Sequence, residues 1–356
     1  MRVTFLCPHL HIAGGVRAIL TYADRLAARG HDVELVVPGR GAVKAAWRRW
    51  RGVGADWMPR LRARVRWVAA WRPEDLRDAD VVVATAWQSA ATAAAAPRRC
   101  GVKCYLVQHY ESLYHGEGGT VDATYRLPLR KIVISTWLAE IMRERFRSEA
   151  EILVTPVDLA LFHRVAVATT TPRPRVLMLH HEYPWKGVAE GRTAVERARA
   201  RVPSLRLVGF GVRRPRGGEL YDEFHANPPQ DTLAALYSGC DIYLCPSWDE
   251  GLGMPSMEAM ACGAALVTFD NGGARDYARH GETALVARHR DVADLADQLV
   301  LAASDPDVRA RIAAAGAVFV REAFSWETAV TRMETLFACW SREEGRSVPG
   351  RPRAAC

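Results

Sequence analysis

The chain has 356 residues, 49% of them apolar and 25% charged, with a formal net charge of +8. That balance suits a soluble globular protein with two cores and excludes a largely disordered chain. No stretch reaches the roughly 20 apolar residues of a membrane span, and the apolar run in Met1-Arg2-Val3-Thr4-Phe5-Leu6-Cys7-Pro8 is too short for a signal peptide, so the chain is expected in the cytoplasm.

In chain order, the first half alternates strand and helix patterns. An apolar run predicts a strand over 3–7, followed by a loop with Gly14-Gly15 and a helix over 17–28 that Gly30 ends. Further strands are expected over 33–37, 80–84, 103–107, 131–134 and 151–154, with a helix over 136–146. Apolar strands alternating with helices predict a parallel sheet covered on both faces. Residues 165–175, with three consecutive threonines and prolines at 172 and 174, read as a linker. The pattern then restarts, with strands over 175–179, 205–208, 241–244 and 264–267 and helices over 188–201, 232–238, 255–262 and 292–303. Two doubly wound α/β domains in tandem place a cleft at the C-terminal ends of their strands.

Residues 47–73 hold eight arginines (Arg48, Arg49, Arg51, Arg60, Arg62, Arg64, Arg66, Arg72), one acid (Asp56) and five tryptophans (Trp47, Trp50, Trp57, Trp67, Trp71). Three readings fit: a solvated helical face with its tryptophans turned to the core, a surface for an anionic membrane or acidic acceptor, or a nucleic-acid surface. None of the eight cysteines forms a CxxC pair, so they read as reduced core residues.

Several loops suit an anionic ligand. Gly14-Gly15 between a strand and a helix lets backbone amides approach an anion at the helix N-terminus, although the spacing is not GxGxxG, and a ligand-free tight turn fits equally. Lys186-Gly187 follows a strand and can neutralise a diphosphate as a point charge; a solvated surface lysine is the alternative. Gly209-Phe210-Gly211 ends the next strand and suits close approach to a ligand, or an ordinary turn. In the second domain, Glu250-Gly251-Leu252-Gly253-Met254-Pro255 leads into a helix carrying Glu258. Two carboxylates eight residues apart can then face one site, with the 251–253 amides available to a phosphate and the carboxylates suited to sugar hydroxyls or a developing cation; carboxylates that merely cap and solvate are the alternative. Asp78-Ala79-Asp80 precedes its strand and reads as a turn rather than a metal site, and His9-x-His11 reads as loop.

The block Glu250-x7-Glu258, followed by Asn271-Gly272-Gly273, resembles the retaining GT-B glycosyltransferases of family 4, the group 1 glycosyl transferases. Lys186-Gly187, Gly209-x-Gly211, Ser135-x-Trp137-Leu138, Val157-Asp158-x4-His163, Phe324-Ser325-Trp326, and Gly14-Gly15-Val16 with Arg29-Gly30-His31-Asp32-Val33 occur in the order that family shows, and the resemblance spans nearly all of 1–341. The segment Val107-Gln108-His109-Tyr110-Glu111 with Thr124-Tyr125-Arg126-Leu127-Pro128 is similar to a subgroup of rhamnosyl- and polysaccharide-building enzymes. The resemblance implies two Rossmann-like domains facing a cleft. These are an acceptor domain over 1–165, rejoined by a final helix at about 325–341, and a nucleotide-sugar domain over 174–324, with residues 342–356 as a disordered tail. It implies transfer of a sugar from a nucleotide-sugar donor to an acceptor hydroxyl with retention of configuration, without metal or cofactor, helped by closure of the domains.

By the same resemblance, Glu250, Lys186 and His109 are the catalytic candidates, a satisfied structural histidine being the other reading of His109. Gly14, Gly15, His181, Lys186, Gly209, Gly211, Glu250, Gly251, Leu252, Gly253 and Glu258 are the donor-binding candidates, with Glu258 on the ribose hydroxyls. The family usually carries an arginine five residues before the lysine, where this chain has His181. Two other readings are a sugar-nucleotide epimerase of the same fold and a nucleic-acid-binding protein using 47–73. The latter leaves Glu250 and Glu258 without a role.

Overall fold

A computed structural model describes residues 1–39, 41–115, 118–167, 174–215 and 221–346. The chain divides into two compact units, one formed by Met1–Thr155 together with the segment from Glu327, the other by Pro156–Trp326.

The first unit holds a parallel sheet of β1 (Arg2–Leu6), β2 (Asp32–Pro38), β3 (Arg64–Val68), β4 (Val81–Ala84), β5 (Val102–Val107), β6 (Arg130–Val133) and β7 (Ala150–Ile152), in the order β3-β2-β1-β4-β5-β6-β7. Its helices are α1 (Gly14–Ala28), α2 (Ala42–Trp50), α3 (Trp87–Ala95), α4 (Gly118–Tyr125) and α5 (Thr136–Phe146). The strands are apolar on both faces because helices cover both, as a parallel sheet requires. Val81, Val82, Val83 and Ala84 are fully buried. The register sets Val3 between Val33 and Val81. The Ser135 hydroxyl starts α5 by accepting from the Leu138 amide at 3.3 Å.

The second unit repeats the plan with β8 (Arg175–Leu179), α6 (Val188–Arg201), β9 (Arg206–Gly211), β10 (Glu223–Ala226), α7 (Gln230–Ser238), β11 (Ile242–Cys245), α8 (Met254–Ala261), β12 (Ala265–Phe269), β13 (Leu285–Ala287), α9 (Val292–Ser304) and α10 (Pro306–Ala323). Its sheet order is β10-β9-β8-β11-β12-β13, all parallel. Its core joins Val176, Leu207, Ile242, Leu244 and Val267 to Leu295 and Leu299 of α9. Strand order reverses direction at β1/β4 in one sheet and at β8/β11 in the other, and open α/β sheets bind ligands at such points.

Three departures from the sequence expectations have physical causes. Residues 156–165, expected with the first domain, belong to the second unit: the Phe162 ring meets Tyr237 of α7 at 6.0 Å and the Val165 amide donates to the Ser238 hydroxyl at 3.1 Å. The final helix, α11 (Trp326–Arg346), runs past position 341 into the stretch expected to be tail. Trp340 is buried, Glu343 pairs with Arg130, and the Ser341 hydroxyl donates to the Asp80 carbonyl at 3.4 Å; residues 347–356 lie outside the described residues. Glu334 of the same helix takes Arg29 and His31, Glu327 takes Arg29, and Arg332 meets Glu151 at 2.7 Å, all within the first unit.

The third departure is residues 47–73, which are not one helix. Only α2 is helical there, and β3 is an edge strand whose alternation puts Arg64 and Arg66 beside Glu34 of β2, at 3.4 and 3.1 Å, and buries Trp67. Trp57 and Trp71 donate to the Leu10 and Val36 carbonyls at 2.8 and 3.0 Å, whereas Trp47 and Trp50 are 53% and 79% exposed. Arg62 pairs with Asp24 at 2.8 Å. The segment therefore divides into tryptophans and arginines used by the fold and others, on α2, that face solvent.

Candidate active site

The side chains singled out in the second half of the sequence gather where β8 and β11 end. Beyond β8 the chain makes a short 3-10 turn, Pro184–Lys186, before α6. Gly187 then adopts φ +65°, and a Cβ there would lie 1.8 Å from the Pro246 carbonyl oxygen beyond β11. Only glycine permits both the backbone conformation and that approach. The Trp248 amide donates to the Trp185 carbonyl at 2.8 Å, joining the two loops. The result brings Lys186 Nζ to 2.7 Å from Glu250 Oε1 across 64 residues of chain.

Glu250 is held from its own backbone. Its amide donates to the Asn271 carbonyl at 2.9 Å and its carbonyl accepts from the Gly273 amide at 3.1 Å. Asn271 is itself fixed, donating to Thr268 Oγ1 at 3.2 Å and accepting from the Ala274 amide at 3.0 Å. Gly253, at φ +89°, caps α8, and a Cβ there would come within 2.5 Å of the Tyr277 hydroxyl. Gly251 and Leu252 lie between, both buried.

Burial pushes the Lys186 ammonium towards losing its proton, but the Glu250 carboxylate beside it outweighs that and holds its pKa above the usual lysine range. Lys186 is thus a fixed cation and Glu250 its counter-charge. Burial, reinforced by Lys186, pushes the His181 imidazole down, so at neutral pH it adds no positive charge where the family's arginine would stand. Its Nδ1 accepts from the Tyr183 amide at 3.1 Å, and its ring meets that of Tyr183 at 4.4 Å. A cavity of about 250 Å³ opens beside it, lined by His180, His181, Glu182, Tyr183, Val212 and Arg213.

Glu258 is 2% exposed, and the Tyr237 hydroxyl donates to its Oε2 at 3.1 Å. Gly209 and Gly211 have packing reasons of their own. A Cβ at Gly209 would strike the Tyr221 ring at 2.5 Å, and one at Gly211 the His180 carbonyl at 2.4 Å.

The first unit carries its candidates at the ends of β1 and β5. Gly14 opens α1 after Ala13, whose side chain offers no cap, and the space beside its Cα is open. The neighbouring Gly15 faces the Gln108 side chain, 3.2 Å from an ideal Cβ, and His109 follows Gln108, half-buried, its ring 5.8 Å from that of Tyr114. Asp78 sits 3.7 Å from Arg99, and Asp80 accepts from the Arg2 amide at 2.6 Å, so both serve the turn into β4. Cys7, Cys100, Cys104, Cys240, Cys245 and Cys262 are free and buried.

Two family models divide the chain between them: Glycosyltransferase Family 4 over residues 12–161, and Glycosyl transferases group 1 over residues 163–318. The chain belongs to the family 4, group 1, glycosyltransferases. It is 28% identical to the O-antigen biosynthesis protein RfbC of Myxococcus xanthus over 344 residues, 91% of this chain and 26% of that protein. It is 35% identical over 138 residues to the D-inositol 3-phosphate glycosyltransferase of Thermomonospora curvata, 36% of this chain and 32% of that one. The chain thus spans about a quarter to a third of the length of these curated relatives.

Among solved structures, sucrose-phosphate synthase from Thermosynechococcus elongatus superposes with a TM-score of 0.75 at 18% identity, covering 95% of this chain and 98% of that one. HepE from Anabaena, solved with UDP and glucose, gives 0.72 at 16% identity, covering 95% and 99%. The fold is GT-B.

Within that family frame, the parts the sequence did not disclose are the supports. The Trp185–Trp248 backbone bond, the Tyr237 hydroxyl on Glu258 and the placing of Arg213 and His181 on one cavity each depend on contacts between segments distant in the chain. Only the Asn271-Gly272-Gly273 motif signalled the clamp on Glu250.

Proposed function

We propose that this glycosyltransferase moves a sugar from a nucleoside-diphosphate donor to an acceptor hydroxyl with retention of configuration and without a metal ion. The observation that carries the reading is the Lys186–Glu250 pair, 2.7 Å apart beyond the C-terminal ends of β8 and β11. A fixed ammonium stabilises charge developing on a leaving diphosphate without having to reorganise, and the 251–253 amides and the N-terminus of α8 add further donors. Glu250 stands beside the ammonium, where a sugar joined to that diphosphate would present an oxocarbenium-like carbon. The leaving phosphate takes the acceptor's proton on the same face. Glu258 binds ribose hydroxyls, and His109 lines the reaction centre. HepE, solved with UDP and with UDP-glucose, supports a uridine nucleotide as the first donor to try.

The test is turnover with a panel of UDP-, GDP- and dTDP-sugars in the presence of EDTA, with NMR of the first-formed product. A product that keeps the donor's anomeric configuration supports the reading; an inverted product, or activity that EDTA abolishes, overturns retention or metal independence respectively.

A second part concerns the acceptor. α2 exposes Val43, Trp47 and Trp50 beside Lys44, Arg49 and Arg51, and interfacial tryptophan with surplus cations suits an anionic bilayer. None of the helices in the described residues is long and apolar enough to cross a membrane; the association proposed is a peripheral one, through α2. Co-sedimentation with vesicles of zwitterionic lipid, with and without 30% anionic lipid, tests it. Lys44→Gln with Arg49→Gln and Arg51→Gln should release the protein, whereas Arg62→Gln, whose cation is already paired with Asp24, should not.

A further inference from the structure

We propose that Glu111 is a positioning residue for the transfer reaction: through the Trp87 amide, Tyr105 and Tyr125 it fixes the turn that carries His109. The inference rests on the reading of His109 given above. The turn follows β5 and has no regular structure beyond the short 3-10 stretch Glu111–Leu113, so its conformation depends on what grips it. Three elements do.

Glu111 Oε2 accepts from the Trp87 amide at the N-terminus of α3, at 3.1 Å, where the helix dipole also favours a carboxyl oxygen. The Tyr105 hydroxyl of β5 reaches the same oxygen at 3.5 Å. From α4, Tyr125 closes the loop. Its hydroxyl accepts from the Glu111 amide at 3.0 Å and donates to the His109 carbonyl at 3.2 Å, so one phenol spans both ends of the three-residue segment. The Tyr105 and Tyr125 rings stack at 5.9 Å, and both hydroxyls reach Glu111. One turn earlier on α4, Asp122 accepts from the Tyr110 hydroxyl at 3.1 Å and from Ser112. Arg145 of α5 approaches the Tyr110 hydroxyl at 3.3 Å.

The groups that face the Glu111 carboxyl are therefore a backbone amide from α3 and a phenol from β5, with the Tyr125 phenol of α4 close by. The positive charge in this network is on the Tyr110 side. Burial accordingly pushes the carboxyl up to about 7, the Trp87 amide and Tyr105 pulling the other way. A group that changes charge near neutrality inside this network makes its positioning role readable as a pH dependence.

The experiment uses the full chain and the variants Glu111→Gln, Tyr125→Phe and His109→Ala. Three readouts are taken from pH 5.5 to 9: kcat and donor KM, thermal stability, and the ring resonances of ¹³C-labelled His109. For Glu111→Gln, which keeps the acceptor oxygen but cannot ionise, kcat should fall about tenfold with donor KM within twofold. The inflection near pH 7 in kcat should vanish, and the His109 titration midpoint should move by at least half a pH unit. Tyr125→Phe, which retains Glu111 but cuts the link to the His109 carbonyl, should lower kcat similarly and also move the His109 midpoint. It carries the test if Glu111→Gln does not fold.

Activity that falls only in step with thermal stability, with the pH inflection and the His109 resonances as in wild type, overturns the proposal and leaves Glu111 a structural group. If His109→Ala is fully active, the assignment of His109 to the reaction centre fails instead, and the His109 resonances still decide whether Glu111 positions the turn.

Discussion

Each unit holds a carboxyl near the C-terminal ends of its strands, buried at Glu250 and half-buried at Glu111, and the two are kept by opposite means. Glu250 is paired with the Lys186 ammonium at 2.7 Å. Glu111 meets an amide and a phenol, and its carboxyl holds its proton up to about pH 7. A buried acid can be accommodated by pairing or by protonation, and the choice fixes what it can do. The paired one supplies a permanent field, and the protonated one a response to pH. The adjoining glycine turns differ in the same sense. Gly187 is locked against Pro246 with no room for a Cβ, whereas Gly14 opens α1 into free space. The turn in the second unit is built rigid; the one in the first unit leaves the glycine open to solvent.

The sharpest way to break this contrast is Gly187→Ala. The methyl would meet the Pro246 carbonyl at 1.8 Å and the residue would stay at φ +65°, so strain and overpacking together should cost about 4 kcal/mol. Calorimetry should show the second unit's transition lowered by roughly 10 °C; an unchanged transition would mean the turn is not locked.

Next in size is the pH dependence of Glu111. Its native pKa lies above its ordinary value, so its contribution to stability is complete below about pH 4.5, declines as pH rises to about 7, and is flat beyond. The change is roughly 3 kcal/mol. Thermal scans from pH 4 to 8 should therefore show wild type losing stability relative to Glu111→Gln across that window. A constant difference would place the carboxyl in the ordinary range.

Lys186→Ala should leave the fold intact and lower kcat/KM roughly 10- to 150-fold, the worth of a charge-assisted bond of about 1.5–3 kcal/mol. Glu250→Gln should bind donor but turn over poorly, and its alkaline limit should move to lower pH because Lys186 loses the neighbour that holds its proton. Single-turnover kinetics separates binding from chemistry. Wild-type rates in both variants would remove the pair from the mechanism.

Smallest is Gly14→Ala. With open space at its Cα and no left-handed backbone, alanine should stabilise α1 by about 0.5–1 kcal/mol. If it instead destabilises, the first turn of α1 is as constrained as the Gly187 turn, and the contrast is lost.

The two sheets differ too in how far the sequence disclosed them. The helix over 188–201 and the strand over 175–179 were legible to the residue because periodicity and burial agree there. Lys186 and Glu250 were each legible from glycine, proline and motif context, but their contact was not, since it requires the β8–β11 neighbourhood that only the folded sheet supplies. Arg64-Val65-Arg66-Trp67 has the period-two alternation of a strand, yet a run of arginines among tryptophans masked it. What makes the cations tolerable is Glu34 on the adjacent strand, some thirty residues away. Glu111 stood inside a recognised segment without a role because its role depends on α3, α4 and β5 converging.

α11 returns to the first unit by way of Arg29, His31, Arg130 and Glu151, while residues 156–326 form the second unit without interruption. During synthesis the second unit can therefore complete its sheet while the chain still emerges. The first unit must wait with the α11-binding surface of its sheet and helices uncovered until α11 clears the ribosome exit. The first unit is begun before the second and completed after it, which makes it the unit that a chaperone would hold and that a premature stop codon before α11 would strand.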